Sequence, residues 1–106
     1  MTLSLIYTTS PNLELAKAIA KSLIEEQLAA CVNIIPGVQS FYRWQGALEQ
    51  SEELILLIKC NSDLYAAIEH KIKVLHSYDC PCILQIAVEK AEKSFQDWVL
   101  GMNLES

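Results

Sequence analysis

At 106 residues with a net charge of −5, the sequence is one domain's worth of chain, since domains commonly run about 100 to 150 residues. Eight basic against thirteen acidic residues repel phosphate backbones, and no Lys/Arg stripe overrides that sign, so nucleic acid is not an expected partner. The apolar run Leu54 to Ile58 is five residues long, far short of the ~20 that span a membrane. No basic leader precedes the first strand pattern, so the expectation is a cytoplasmic protein without a membrane partner. A 52% apolar content supplies one core, and residues 1–106 are read as a single domain.

Leu3, Leu5 and Tyr7 alternate with Ser4, Ile6 and Thr8, which reads as a first strand ending near Thr9. Ser10-Pro11 reads as an N-cap with proline at the first helical position, where its missing N–H costs nothing. The helix is expected to reach about Leu28. Leu15, Ile19 and Leu23 beside Ala16, Ala20 and Ile24 form its apolar stripe. Glu14 with Lys17 and Lys21 with Glu25 would support its wet face.

Ala29 to Lys59 reads as one long β-ribbon. Strand-like runs Cys31 to Trp44 and Glu53 to Lys59 meet at a turn near Gln45-Gly46, where Gly46 supplies positive φ. Pro36-Gly37 interrupts the first arm, which is therefore expected to be a bent edge strand with a bulge. Val38, Ser40, Tyr42 and Trp44 share one face of it; Gln39, Phe41 and Arg43 share the other. Large aromatics on both faces of an edge invite pairing with other chains, so the ribbon is read as an oligomerisation arm. The returning arm Leu54 to Ile58 is apolar on both faces, as in a strand covered on both sides. Cover comes from helices on each face or, preferred here, from a neighbouring subunit.

Asn61-Ser62-Asp63 opens a second helix with Leu64, Ile68, Ile72 and Leu75 buried and Glu69 four before Lys73 outside. His70 falls on the solvated side. The helix is expected to stop around His76, since Ser77 to Cys82 mixes turn formers with proline. Ile83 to Val88 reads as a strand, and Phe95, Trp98, Val99 and Met102 as the stripe of a short last helix. The order β-α-β-β-α-β plus a C-terminal helix predicts an α+β, ferredoxin-like split β-α-β sandwich with strand order 4-1-3-2, in which the ribbon's first arm is an edge.

The runs LAACVNIIPGVQSFYRWQG (Leu28 to Gly46), EELILLIK (Glu52 to Lys59) and HSYDCPCI (His76 to Ile83), with the opening TTSP and closing FQDW, resemble the CutA divalent-cation tolerance family over nearly the whole chain. The resemblance implies a ferredoxin-like subunit, a homotrimer built through extended ribbons, and a role in tolerance of copper or other divalent metal ions. The family usually shows His-Pro-Tyr-Glu-Val-Pro-Glu-Ile where this chain has His76, Ser77, Tyr78, Asp79, Cys80, Pro81, Cys82 and Ile83. Thr8 stands where some members carry a metal-associated cysteine, and Cys60 where threonine is common.

Four cysteines in a leaderless chain suggest free thiols or soft-metal ligands, not a disulfide framework. His76, Cys80 and Cys82 form the candidate metal cluster, with donors that suit Cu(I) or Zn(II); packing thiols are the reading set ahead of it, because cysteine is often a small core residue. Cys31, inside a strand, is expected in the core. Tyr42, Trp44, Lys59 and Tyr78 are candidates for a pocket between subunits, against aromatic packing anchors and a solvated lysine. Glu49, Glu52 and Glu53 read as a solvated hairpin or a weak oxygen-donor cation site. No triad, nucleophile elbow or glycine-rich phosphate loop is present, so no enzyme is expected. A trimeric metal-binding protein leads; a trimeric small-molecule sensor or adaptor, by fold analogy with nitrogen-regulatory signal proteins, is the alternative.

Overall fold

The computed structural model describes residues 2–101. Its elements are β1 (Leu3–Ser10), α1 (Leu13–Glu25), β2 (Cys31–Trp44), β3 (Ala47–Asn61), a 3₁₀ turn (Ser62–Leu64), α2 (Tyr65–Leu75), β4 (Ile83–Ala87) and α3 (Lys93–Gly101). One antiparallel sheet holds all four strands in the order β2-β3-β1-β4, the expected order. No helix among the described residues is long and apolar enough to cross a membrane.

α1 starts later than expected. Ser10 stays in β1 and its Oγ donates to the Asn12 carbonyl at 2.8 Å, while the Asn12 side chain takes the capping role by accepting from Leu15 N at 2.8 Å. The helix also ends earlier. Gln27 adopts φ 58, and the bonds Gln27 N to Ile24 O (3.0 Å) and Leu28 N to Leu23 O (2.9 Å) close a Schellman motif that satisfies the last carbonyls. The side-chain pairs expected along α1 do not form among the described residues; α1 is tied instead to α2 by Lys71 and Glu26 at 2.7 Å. Glu69 and Lys73 lie 3.9 Å apart, as the spacing predicts.

The ribbon is longer than its sequence pattern, because β3 runs from Ala47 rather than Glu53. Gln45 and Gly46 both have positive φ (51 and 79), the tight turn whose twist matches that of the flanking strands. Ile35 pairs with Ile55 but Val38 pairs with Glu53, so β2 spends three residues where β3 spends two. Gly37 at φ 76 absorbs the bulge.

Both helical layers lie on one side of the sheet. There Ile6, Leu56, Ile58 and Cys60 are buried beneath Ala16, Ile19 and Leu23 of α1 and Ile68 and Ile72 of α2. α3 closes only one end of the opposite face, where Val99 packs on Leu3 and Ala30. Its stripe is narrower than expected: Val99 is buried, Phe95 and Trp98 are exposed, and Met102 lies outside the described residues. The rest of that face carries Leu5, Tyr7, Ile55 and Leu57 with Ile35, Leu84 and Ile86 exposed at 42, 53 and 44%. Cys31 belongs here, half-buried opposite Lys59, and not in the core as its strand position suggested.

Candidate functional site

The sheet's less covered face ends in a cleft of about 490 Å³ lined by Thr9, Tyr42, Trp44, Glu53, Ser77, Tyr78, Asp79, Cys80 and Cys82. Thr9 comes from the end of β1, Glu53 from β3, the aromatics Tyr42 and Trp44 from the distal arm of β2, and the remainder from the loop after α2. The bulge positions two of these. Strict alternation from Ile35 would carry Tyr42 and Trp44 to the opposite face; pairing two β2 residues against one of β3 returns them to the face of Glu53.

His76 anchors the loop. Its backbone N–H ends α2 on Ile72 O at 2.8 Å, and its ring turns inward, to 9% exposure. The Tyr78 backbone N–H donates to His76 Nδ1 at 3.0 Å. Nδ1 is therefore unprotonated, and Nε2 carries the proton that it donates to Thr9 O at 2.7 Å. The Tyr78 ring sits 4.7 Å from the imidazole, tilted by 44°, and its hydroxyl donates to Glu53 Oε2 at 2.9 Å. Glu53, 8% exposed, is the most buried charge of the site.

The electrostatics follow from that carboxylate. Burial, then the Glu53 hydrogen bond and charge, push the Tyr78 hydroxyl up to about 12. Burial, then Glu53 and Cys80, raise the Cys82 thiol, and burial, then Cys82 and Glu53, raise Tyr7. Each of these groups is held toward its protonated, uncharged form.

The structure brings some sequence candidates together and separates others. Tyr42, Trp44 and Tyr78 share the cleft; Lys59 does not. It lies within β3 opposite Leu5 and Cys31, and its ammonium donates to Asn33 Oδ1. Cys80 and Cys82 are both exposed on the cleft wall of the single chain. Cys60 is the packing thiol: fully buried, with Sγ 3.8 Å from Ser4 O and burial pushing it up to about 11. Both His76 nitrogens are already engaged, and among the described residues no three His, Cys, Asp or Glu side chains converge as a metal centre. The expected His76–Cys80–Cys82 trio is thus not assembled within the chain; the imidazole serves the backbone and leaves the thiols alone. Thr9 was missed, and Glu53 was read only as part of the acidic run with Glu49 and Glu52. The signal for Glu53 was the Pro36-Gly37 bulge, which fixes which ribbon residues share its face.

A four-stranded antiparallel sheet with two helices on one face, a long β2–β3 ribbon and a cleft at the ribbon's root defines an α+β subunit of a recognisable class. Residues 4–101 match the family described as CutA1 divalent ion tolerance protein, and the chain belongs to that family. It is 45% identical to the divalent-cation tolerance protein CutA of Archaeoglobus fulgidus over 94 residues, 89% of this chain and 91% of that protein. The solved structure of the Archaeoglobus fulgidus protein, described as periplasmic, superposes with a TM-score of 0.89 at 43% identity, covering 92% of this chain and 94% of that one. The CutA1 structure from Oryza sativa superposes with a TM-score of 0.94 at 35% identity over 100% of this chain and 97% of its own. This family is named for tolerance of divalent ions, not for an enzymatic reaction.

Proposed function

We propose that the protein is a ferredoxin-like, trimeric metal-binding protein acting in divalent-cation tolerance, that copper is the metal its thiols suit, and that it is a binder and not an enzyme. The observation that carries the metal reading is the pair Cys80 and Cys82, free and exposed on one cleft wall. Two soft thiolates two residues apart on the loop before β4 fit Cu(I), which accepts fewer ligands than a closed zinc site. His76 contributes by holding the loop, since its nitrogens are spent on Thr9 and Tyr78. The metal would displace the protons that burial and Glu53 hold on Cys82, so affinity falls as pH drops. Free thiols suit a reducing compartment, and the proposal keeps the protein cytoplasmic although the Archaeoglobus relative is described as periplasmic.

Trimerisation is supported by the part of the apolar sheet face that α3 leaves open, where Ile35, Leu84 and Ile86 are exposed. Self-association and the metal are the proposed partners; an acidic chain without a basic stripe argues against nucleic acid. Anaerobic Cu(I) competition against a chromophoric chelator tests the metal. Wild type is expected to take Cu(I), and a Cys80→Ser, Cys82→Ser double variant to lose it while keeping fold and mass. Equal binding by both would overturn the reading. Sedimentation equilibrium returning a single subunit of 11.9 kDa would overturn the trimer.

A second reading, a small-molecule sensor or adaptor, is favoured by the cleft itself, whose volume lies within the roughly 300–1,000 Å³ of ligand sites.

A further inference from the structure

One charge in the cleft lacks compensation. Glu53 is more than nine-tenths buried, yet among the described residues its carboxylate accepts only the Tyr78 hydroxyl and joins no ion pair. No lysine, arginine or histidine lines the cleft. Buried carboxylates are ordinarily paired with a cation or coordinate one. No group of three His, Cys, Asp or Glu side chains converges here among the described residues, so the cleft offers no multidentate oxygen cage of the kind that holds Ca²⁺. Three aromatics, Tyr42, Trp44 and Tyr78, share the wall with Thr9, Ser77, Cys80, Cys82 and a second carboxylate, Asp79. Aromatic faces attract weakly hydrated organic cations through their quadrupoles, and cages of this kind hold alkylammonium groups.

We propose that this cleft binds a small organic ammonium cation, with Glu53 facing its charge and Tyr42, Trp44 and Tyr78 covering its alkyl groups. The inference rests on the small-molecule reading of the cleft and does not use the thiols as ligands. Tyr78 gives the site its order: its hydroxyl fixes one carboxylate oxygen, leaving Oε1 to meet the ligand. Burial first, and the Glu53 charge after it, hold Tyr78, Cys82 and Tyr7 toward their protonated forms; that charge also favours a cation in their midst. A net charge of −5 steers cations toward the surface as a whole. Anions are disfavoured on both counts.

Isothermal titration calorimetry on the full chain in its native assembly tests this with two probes of one shape. Choline carries the charge, and 3,3-dimethylbutan-1-ol is its neutral counterpart. Choline is expected to bind about tenfold or more tightly than the alcohol, the scale of a desolvated cation–π contact. Glu53→Gln keeps an acceptor for Tyr78, and Trp44→Leu alters a side chain that is 59% exposed, so both variants are expected to keep their melting temperature. Each should weaken choline about tenfold. The Cys80→Ser, Cys82→Ser variant should bind choline like wild type. No choline binding, equal binding of the two probes, or full affinity in Glu53→Gln would overturn the proposal. Cu(I) competition on the same variants separates the two readings: loss of Cu(I) in the serine variant with choline intact supports both, and Cu(I) retained there sinks the metal reading alone.

Discussion

The Tyr78 hydroxyl meets Glu53 Oε2 at 2.9 Å, joining residues 25 apart in the chain. The bond ties the loop after α2 to the root of the ribbon. Because the Tyr78 backbone N–H rests on His76, and His76 on the Thr9 carbonyl, one continuous chain of hydrogen bonds links β1, the end of α2 and β3. The cleft wall is therefore held by polar contacts on the one side where the core does not reach.

Tyr78→Phe removes the donor and leaves a buried carboxylate without a partner. A loss of about 1–3 kcal/mol is expected, read as a lower urea midpoint. An unchanged midpoint would mean that Glu53 finds water as readily as it finds Tyr78.

His76→Ala strips partners from the Thr9 carbonyl and the Tyr78 N–H together. The expected cost is about 2–4 kcal/mol in the same experiment. Cu(I) affinity, measured anaerobically, should stay that of wild type once the variant is folded. A variant that folds normally but loses Cu(I) would return the imidazole to the metal.

Cys60 gives an alkaline signature. Burial raises its thiol from an ordinary 9.0 to about 11, so the native state keeps the proton that the unfolded chain releases first. Its contribution is fully present below pH 9 and is lost as pH rises toward 11, about 2–3 kcal/mol in all. Denaturation midpoints of wild type and Cys60→Ala, compared between pH 8 and 11, should show a steeper decline in wild type. Parallel curves would contradict the assignment.

Leu84→Asp places a carboxylate on the part of the sheet face that α3 leaves open. If that face is packed against a neighbouring subunit, desolvating the charge costs several kcal/mol, and sedimentation equilibrium should shift toward 11.9 kDa. The exposed Val74 on α2 is the control, since Val74→Asp should leave the mass untouched. Equal masses for all three proteins would remove the face from the interface.

The sheet was legible in the sequence because its signals are local: period-two alternation in β1, a proline-glycine interruption in β2, a glycine at the ribbon turn. The start of α1 was not, since Ser10 and Asn12 are both good caps and only the pairing of Ser10 within β1 decides between them. The site was half legible. Tyr42, Trp44, Tyr78, Cys80 and Cys82 stood out by type, but the role of Glu53 depends on register across three strands, and an acidic run looks solvated until that register is known. His76 misled for a related reason. Its partners are a carbonyl and an amide, which no side-chain motif displays. Lys59 was taken for a strand end because β3 continues unannounced to Asn61.

The extra residue between Ile35 and Val38 acts on the distal arm as a reading frame acts on a message. The arm's two faces are chemically unlike: Tyr42 and Trp44 on one, Phe41 and Arg43 on the other. Strict one-for-one alternation past Ile35 would put Phe41 and Arg43 on the face of Glu53 and turn Tyr42 and Trp44 away; the two-against-one pairing keeps the latter pair there. Counting, more than the identity of any side chain, decides what this cleft receives.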